Sequence, residues 1–597
     1  MVSPKQLKDM ANKLRIHSIM STTEAGSGHP TTCMSCADIM SCLFFSVMNK
    51  SDDFILSKGH AAPILWAAYA EAGIFPVSRL KDLRKIDSTL EGHPTKNMSM
   101  IHIATGSLGQ GLSAGLGMAL ANRVKKEKGI VYVLLGDGEM AEGSVWEAAN
   151  AAAYHKADNL TAIVDVNRLG QSQETMHGHN MKRYKAKFDA FGWDSVIIEG
   201  HDINALLRAL GKKRRTGKPL AILARTMKGK GFPEVEDKDG WHGKPFEKDM
   251  MQRAVKSLQA KGNTDIKLRS GIRKAEKIRY SRKSFKPGKY RSGEMVATRT
   301  AYGNALVRLG KSNNDAVVID GDVKNSTRTG FFFKEFPKRS FESFIAEQNM
   351  LGMAQGFSAK GLVPFAATFS AFLTRAHDFI RMAAYSGSNI KLCGSHAGVS
   401  IGQDGPSQMG LEDISMFIST PDSAVLYPCD AVSAEVCVKE TAKHAGISYI
   451  RTTREKTPVI YSSNEKFPIG GLKVIKKTKK DKLLIVAAGV TVHEALKAYD
   501  KLSKEGIDAR VIDLYSVKPV DTTKLLMNAR ECRNNVIVVE DHYDGGIGCA
   551  VEDVTGNAVR LYIKEMPRSG APEKLRKKYG IDSSAIVRAA KKLAGRK

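Results

Sequence analysis

The chain has 597 residues, 42% apolar and 26% charged, with a formal net charge of +29. That is enough for several buried cores, and no uninterrupted apolar run of about 18 residues offers a membrane span. The charge implies anionic partners without saying which. Eight cysteines suit a reducing compartment, and neither terminus reads as a secretion, retention or peroxisomal signal, so a cytoplasmic protein is expected.

Lys5 to Met20 has the spacing of an amphipathic helix, ending at Ser-Thr-Thr-Glu-Ala-Gly. Three loops then place a histidine directly after glycine: Gly28-His29-Pro30, Gly59-His60 and Gly92-His93-Pro94. Together they predict one site, since imidazole donates to hydroxyl or phosphate oxygens and exchanges protons near neutral pH. Cys33 and Cys36 have C-x-x-C spacing, but no second pair completes a zinc site, and the pair reads as packing. Thr105-Gly106-Ser107-Leu108-Gly109-Gln110-Gly111 opens a small-residue helix with room for phosphate at its start. Its spacing is not the G-x-G-x-x-G of nicotinamide folds.

Ile130 to Leu169 organises the first third. An apolar run of strand length, Ile130 to Leu135, stops at Gly136-Asp137-Gly138-Glu139; a helical stretch follows, and a second apolar run, Leu160 to Val166, delivers Asn167. Read as strand, helix and parallel strand, the unit brings Asp137 and Asn167 to neighbouring carboxyl ends of one sheet, where ligands of open parallel sheets bind. Both offer hard oxygen ligands suited to Mg²⁺ or Ca²⁺, and a diphosphate held through that ion is the expected guest. Lys228 lies between glycine turns after a strand-like LAILA, and Trp241-His242-Gly243 follows.

Lys261 to Arg291 holds twelve Lys or Arg against two acids, with Tyr280, Phe285 and Tyr290 interleaved. It shows no clean period and reads as a solvated linker, with a polyanion contact as the alternative. Beyond it, AVVIDGDVKNST reads as a strand with a polar end. SFIAEQNM is expected to carry Glu347 out of an apolar strand into a helix, buried between Ile345 and Met350-Leu351, where a carboxylate needs a partner or a proton. Phe369 and Phe372 read as core aromatics, and Cys393 to Gln408 as a long Gly-rich polar segment. From Leu483 the chain alternates strand and helix patterns in three units, and Gly545-Gly546-Ile547-Gly548 is a turn. The expected fold is α/β, with three doubly wound domains: 1–260, 294–465 and 466–597, the first two joined by the basic linker 261–293.

SGHPTT, SKGHAAP, EGHP, ATGSLGQG, GDG followed by VNRLGQS, and AEQNM resemble the motifs of transketolases in family order, closest to the animal-type branch. The resemblance covers nearly the whole chain and implies two thiamine diphosphate-binding domains and a C-terminal domain without catalytic residues. It implies transfer of a two-carbon ketol unit from a ketose phosphate to an aldose phosphate, with thiamine diphosphate and a divalent ion as cofactors. Ser35, His60, Gly106, Ser107, Leu108, Gly138, Asn167, Lys228, His242, Glu347, Phe369, Phe372 and Gln408 match cofactor-contact positions, and Asp137, Asn167 and Leu169 form the metal set. His29, Thr32, His242, Arg299, Ser326, His396, Asp404 and Arg454 match substrate positions. By the same resemblance Glu347 is expected to tune the aminopyrimidine, His29, His60, His93, His242 and His396 are candidate proton carriers, and a homodimer is expected. The basic linker departs from the family pattern. Rivals are a pyruvate-using 1-deoxyxylulose 5-phosphate synthase, a dihydroxyacetone synthase, and a non-catalytic polybasic protein that binds nucleic acid on the same fold.

Overall fold

The computed structural model describes residues 2–272 and 277–595. It divides into two compact units, Met1–Ile278 with Gln355–Lys360 and Tyr385–Gly387, and Arg279–Ala354 with Gly361–Ala384 and Ser388–Lys597.

The first unit is built on strands β1 (Asp53–Leu56), β2 (Val131–Gly136), β3 (Leu160–Val166), β4 (Asp194–Glu199) and β5 (Leu220–Arg225), all parallel, in the order β1-β2-β3-β5-β4. Every residue of β2 and β3 is buried, because a parallel sheet is covered on both faces. That explains their continuous apolar runs, whereas β4, at the edge, alternates over its outer half. The first helix, Pro4–Glu24, starts at a capping box in which Ser3 and Gln6 satisfy each other's backbone N–H. The helix Pro30–Cys42 is buried along its whole length and runs into a π-helical turn, Leu43–Val47. By length and composition Pro30–Val47 could cross a bilayer, but 89% of it is buried inside the protein, as in a core helix. Cys33 and Cys36 lie on it, fully buried, the Cys36 thiol donating to the Thr32 carbonyl one turn back at 3.3 Å. Burial pushes both thiols up, Cys33 to about 12, which suits packing.

In the second unit the strands are β6 (Met295–Ala297), β7 (Ala316–Asp320), β8 (Ser340–Glu342), β9 (Val363–Phe369), β10 (Lys391–Ser395), β11 (Ala424–Leu426), β12 (Ser448–Arg451), β13 (Lys456–Pro458), β14 (Lys473–Lys476), β15 (Leu483–Ala487), β16 (Ala509–Asp513), β17 (Ser516–Lys518), β18 (Val536–Val539) and β19 (Val559–Leu561). They form a seven-stranded sheet, β17-β11-β12-β10-β9-β7-β8, a five-stranded sheet, β14-β16-β15-β18-β19, and the pair β13-β6. Apart from that pair, only β17 and β14 among the described strands run antiparallel to their neighbours. The apolar stretch ARVIDLYSV thus divides between two sheets, β16 joining the C-terminal one and β17 pairing with β11. The turn after His542 is fixed by the Glu540 carboxylate, which accepts from the Ile547 and Gly548 N–H groups at the start of the helix Ile547–Thr555.

Two expectations are corrected. The strand before Glu347 ends at Glu342, and Phe344 and Ile345 stand 40% and 72% exposed in a turn, Phe344 in the left-handed region at φ 58°. Ile345 therefore does not enclose Glu347. Nor is the basic stretch a freely solvated linker: Ile266, Leu268 and Ile272 pack against the core of the first unit, while Phe285 is buried and Tyr280 packed in the second. Residues 273–276, with three of its charged groups, lie outside the described residues.

Candidate active site

In the register of the first sheet Gly136 faces Asp165, so the two chain exits carrying Asp137 and Asn167 lie side by side. Asp137 is 5% exposed, and its Oδ2 accepts from the Arg168 N–H and the Thr175 hydroxyl, each at 2.8 Å. Burial first, then the charge of Asp165, pushes its carboxyl up, and among the described residues no cation lies within ion-pair distance of it. Arg168 sits at φ 62°, and the turn it makes lets the Leu169 N–H bond the Asn167 Oδ1 at 3.3 Å. The Lys228 ammonium donates to the Leu169 carbonyl at 2.8 Å, to the Gly170 carbonyl at 3.2 Å and to His242 Nδ1 at 2.8 Å. Burial is the main cause that brings Lys228 down to about 8.

These groups line a cavity of about 540 Å³ together with His29, Thr32, His60, His93, Gly106, Leu108 and Gly138, within the size range of small-molecule sites. His29 is the hub of the imidazoles: its ring centre lies 5.3 Å from His60, 6.4 Å from His93 and 5.2 Å from His242. Thr32 Oγ1 is 3.4 Å from His60 Nε2. Gly106 has φ 137°, and a Cβ there would stand 3.0 Å from the His93 ring, so glycine keeps that wall open.

The donor set fits a divalent ion carrying a diphosphate. Among the described residues Asp137 is a buried carboxylate without a cationic partner and His29 Nδ1 is buried with no hydrogen-bond partner, and the oxygens of Asn167 and Leu169 are hard ligands beside Asp137. Among the described residues no group of three His, Cys, Asp or Glu marks another metal site.

Beneath this floor sits a network that the sequence reading missed. Asp165, fully buried, accepts from Lys58 Nζ at 2.5 Å, Ser35 Oγ at 2.6 Å, Thr226 Oγ1 at 2.5 Å and Asn167 Nδ2 at 3.2 Å. Holding the amide nitrogen of Asn167 turns its oxygen away from Asp165. Burial alone would raise Asp165, but Lys58 brings it below the usual carboxylate range. An acid inside the apolar run of β3 was the available signal, because it demands a buried cation. Asp165→Ala is expected to lower stability by about 3 to 5 kcal/mol by stranding Lys58, seen as a fall in the denaturant midpoint. Pairing it with Lys58→Met should recover most of the loss, and a double variant as unstable as the single one contradicts the pairing.

Electrostatics set the protonation of the imidazoles. Burial first, then the charges of His242 and Arg84, holds His29 down to about 3, and burial followed by Lys228 holds His242 down to about 4. Both are therefore neutral in the folded, cofactor-free protein at pH 5 to 8. Because their folded values lie below the unfolded one near 6.5, the stability they confer is present above pH 6.5 and is lost as pH falls toward 3. Carbon-13 histidine NMR of the cofactor-free protein should show His29 untitrated at pH 5, and a His29 midpoint near 6.5 would contradict this environment.

The second unit holds another cluster. Glu347, 4% exposed, begins the helix Glu347–Ala359, with Arg375 Nη1 at 3.8 Å. Phe369 stacks on Phe372 at 5.1 Å and on His396 at 3.9 Å between ring centres. Arg299 Nη1 donates to the Ser326 carbonyl at 3.0 Å and lies 3.5 Å from His396 Nε2, while Arg454 pairs with Asp404 at 2.9 Å. Burial, then the charges of Arg328 and Arg454, brings Arg299 down to about 10, so three guanidiniums share one neighbourhood. Among the described residues the Nε atoms of Arg299 and Arg328 are buried without a partner. Arg328, at φ 68°, is a second residue missed from sequence; a base before Thr329-Gly330 at a polar strand end was its only signal. Gln408 bonds locally to the Ser407 hydroxyl.

The first unit thus presents a cavity lined by imidazoles, Lys228 and a buried carboxylate, and the second a group of three guanidiniums, on an α/β fold whose polar clusters suit anionic ligands. The family model of the transketolase thiamine diphosphate binding domain matches residues 6–294, that of the pyrimidine binding domain 294–459, and that of the C-terminal domain 472–586. Mouse transketolase is 47% identical over 607 residues, covering 98% of this chain and 97% of the mouse protein. Human transketolase is 47% identical over 608 residues with the same coverage, and mouse transketolase-like protein 2 is 48% identical over 606 residues, also covering 98% and 97%. The solved transketolase of Campylobacter jejuni shares the fold at a TM-score of 0.84 and 24% identity, over 98% of this chain and 99% of that one. The chain belongs to the transketolase family.

Proposed function

We propose that this chain transfers a two-carbon ketol unit from a ketose phosphate such as xylulose 5-phosphate to an aldose phosphate such as ribose 5-phosphate, the ketol-transfer chemistry of the pentose phosphate pathway. Thiamine diphosphate and a divalent ion, Mg²⁺ or Ca²⁺, are the cofactors. The observation that carries this reading is the buried Asp137, without a cationic partner among the described residues, in one cavity with Asn167, Leu169 and four imidazoles.

Asp137, Asn167 Oδ1 and the Leu169 carbonyl would hold the ion, with Gly106, Ser107, Leu108, Gly138 and Lys228 around the diphosphate. Glu347 would hydrogen-bond the aminopyrimidine against the apolar wall of Phe369 and Phe372. When bound, thiamine diphosphate supplies the carbanion and the electron sink. The protein's own part is positioning and proton movement. His29, His60, His93 and His242 crowd one cavity, and their burial favours the neutral form, so an imidazole here can accept a proton from a sugar hydroxyl or donate to its oxygen. Arg299, Arg328 and Arg454 offer forked donors for a phosphate, with His396 and Asp404 beside them.

The assembly is a homodimer in this reading, supported by the apolar Phe344 and Ile345 exposed just before Glu347. Eight free cysteines support the cytoplasm as its compartment. The test is release of glyceraldehyde 3-phosphate from xylulose 5-phosphate. Release that requires ribose 5-phosphate, thiamine diphosphate and Mg²⁺ is expected; release with formaldehyde in place of the aldose would favour a dihydroxyacetone synthase, and loss of CO₂ from pyruvate with consumption of glyceraldehyde 3-phosphate would favour a 1-deoxyxylulose 5-phosphate synthase.

A further inference from the structure

Residues 279–291, RYSRKSFKPGKYR, hold six bases and no acid. The segment follows no helix or strand, yet its two sides differ: Arg279, Arg282, Lys283, Lys286, Lys289 and Arg291 are all exposed, while Tyr280, Phe285, Gly288 and Tyr290 are half-buried or buried. Phe285 belongs to a core cluster with Tyr302, Leu306 and Leu309. The Glu435 carboxylate, fully buried, accepts from the Tyr290 hydroxyl and from the Gly288 N–H, each at 2.6 Å. Ser463 Oγ accepts from the Tyr290 N–H at 3.1 Å, and Gly293 continues the attachment by donating to the Val459 carbonyl at 2.9 Å. The strap is therefore bolted down by its aromatic side and displays its bases outward.

Among the described residues none of the six bases is ion-paired; Glu294, beside the strap, accepts from the Arg291 backbone N–H instead. Arg308 adds a further half-exposed guanidinium next to Gly288. None of these groups belongs to the catalytic clusters described above.

We propose that this strap is a docking strip for the phosphate backbone of double-helical nucleic acid. A row of unpaired cations on a backbone already fixed has little ordering entropy to lose on binding. With the aromatics turned into the core, base stacking, which single-strand binders use, is closed to it. A bilayer would gain only charge from it, since the strap exposes no large apolar side chain to insert. What remains is backbone neutralisation, independent of sequence and steep in salt.

The test is fluorescence anisotropy of a labelled mixed-sequence 20-base-pair DNA duplex against the full-length protein. With about six phosphates neutralised, affinity should fall about 10³-fold between 50 and 200 mM salt. The variant R282Q/K283Q/K286Q/K289Q should bind at least about tenfold more weakly at 100 mM salt, lower the log–log slope by about 3 to 4, and keep wild-type ketol transfer, which also reports that it folds. Neutralising Lys574, Lys577 and Lys578, exposed bases elsewhere on the same unit, should change binding little. The proposal is overturned by duplex binding that ignores the strap variant, by equal loss in the Lys574 control, by tighter binding to the matching single strand, or by strap-dependent binding seen only with phosphatidylserine vesicles.

Discussion

Asp137→Ala is expected to weaken Mg²⁺-dependent thiamine diphosphate binding by more than about 100-fold, since even partners one bond removed from a metal ligand are worth about 10 to 100-fold. Titration calorimetry with cofactor and Mg²⁺ reads this directly, and binding within a few-fold of wild type would remove Asp137 from the metal set. The same residue should carry the opposite sign in stability. Its carboxyl is raised in the fold by burial and by Asp165, so its contribution is present below the unfolded value near 4 and lost as pH rises through the folded one. Once pH has risen through the folded value, the buried carboxylate is a burden to the cofactor-free protein. Asp137→Asn keeps acceptors for Arg168 and Thr175 and removes the charge, so its cofactor-free melting temperature should equal or exceed that of wild type. A clear fall would mean that the carboxylate already has a cationic partner. Lost binding together with retained stability is the pattern of a residue kept for function at some expense to the fold.

Glu347→Ala should leave the chain folded and cofactor affinity within a few-fold, while exchange of the thiazolium C2 proton falls by about 10² to 10⁴-fold. Quenched-flow NMR of the bound cofactor in D₂O measures it. The side chain is buried at a helix start, where a carboxylate gains about 0.3 to 1 kcal/mol from the helix dipole, so little stability rests on it. Its nearest cation, Arg375, is 3.8 Å away and two-thirds exposed, too loosely held to fix an ion pair. In the proposed role Glu347→Gln should lose exchange as well, because an amide cannot take up or give a proton as a carboxyl does. Wild-type exchange in either variant would overturn the role given to Glu347.

What the sequence disclosed follows from local physics. Two fully buried parallel strands must be largely apolar, with any polar side chain paired as Asp165 is, and the turns leaving them small and polar, so β2, β3, Asp137 and Asn167 stand out in a one-dimensional reading. The loop histidines were visible for the same reason, as imidazoles pinned by glycine. Contacts between distant segments were not: Lys58 and Asp165 are 107 residues apart and meet inside the first unit, and Arg328 reaches its place through a left-handed backbone that Ser326-Thr327-Arg328-Thr329 does not advertise. The turn at Phe344 and Ile345 was misread as strand because apolar residues commonly signal burial, which exposed apolar turns violate. In the basic strap the alternation lies in exposure, and Gly, Pro and Ser hide it from a hydrophobic period.

The most direct test of ketol transfer follows the carbon itself. Xylulose 5-phosphate labelled with carbon-13 at C1 and C2 is incubated with ribose 5-phosphate, thiamine diphosphate, Mg²⁺ and the purified chain, and the products are read by NMR. The account predicts both labels, still bonded to each other, at C1 and C2 of sedoheptulose 7-phosphate, with unlabelled glyceraldehyde 3-phosphate released. Label left entirely in the donor, or split between products, would contradict it.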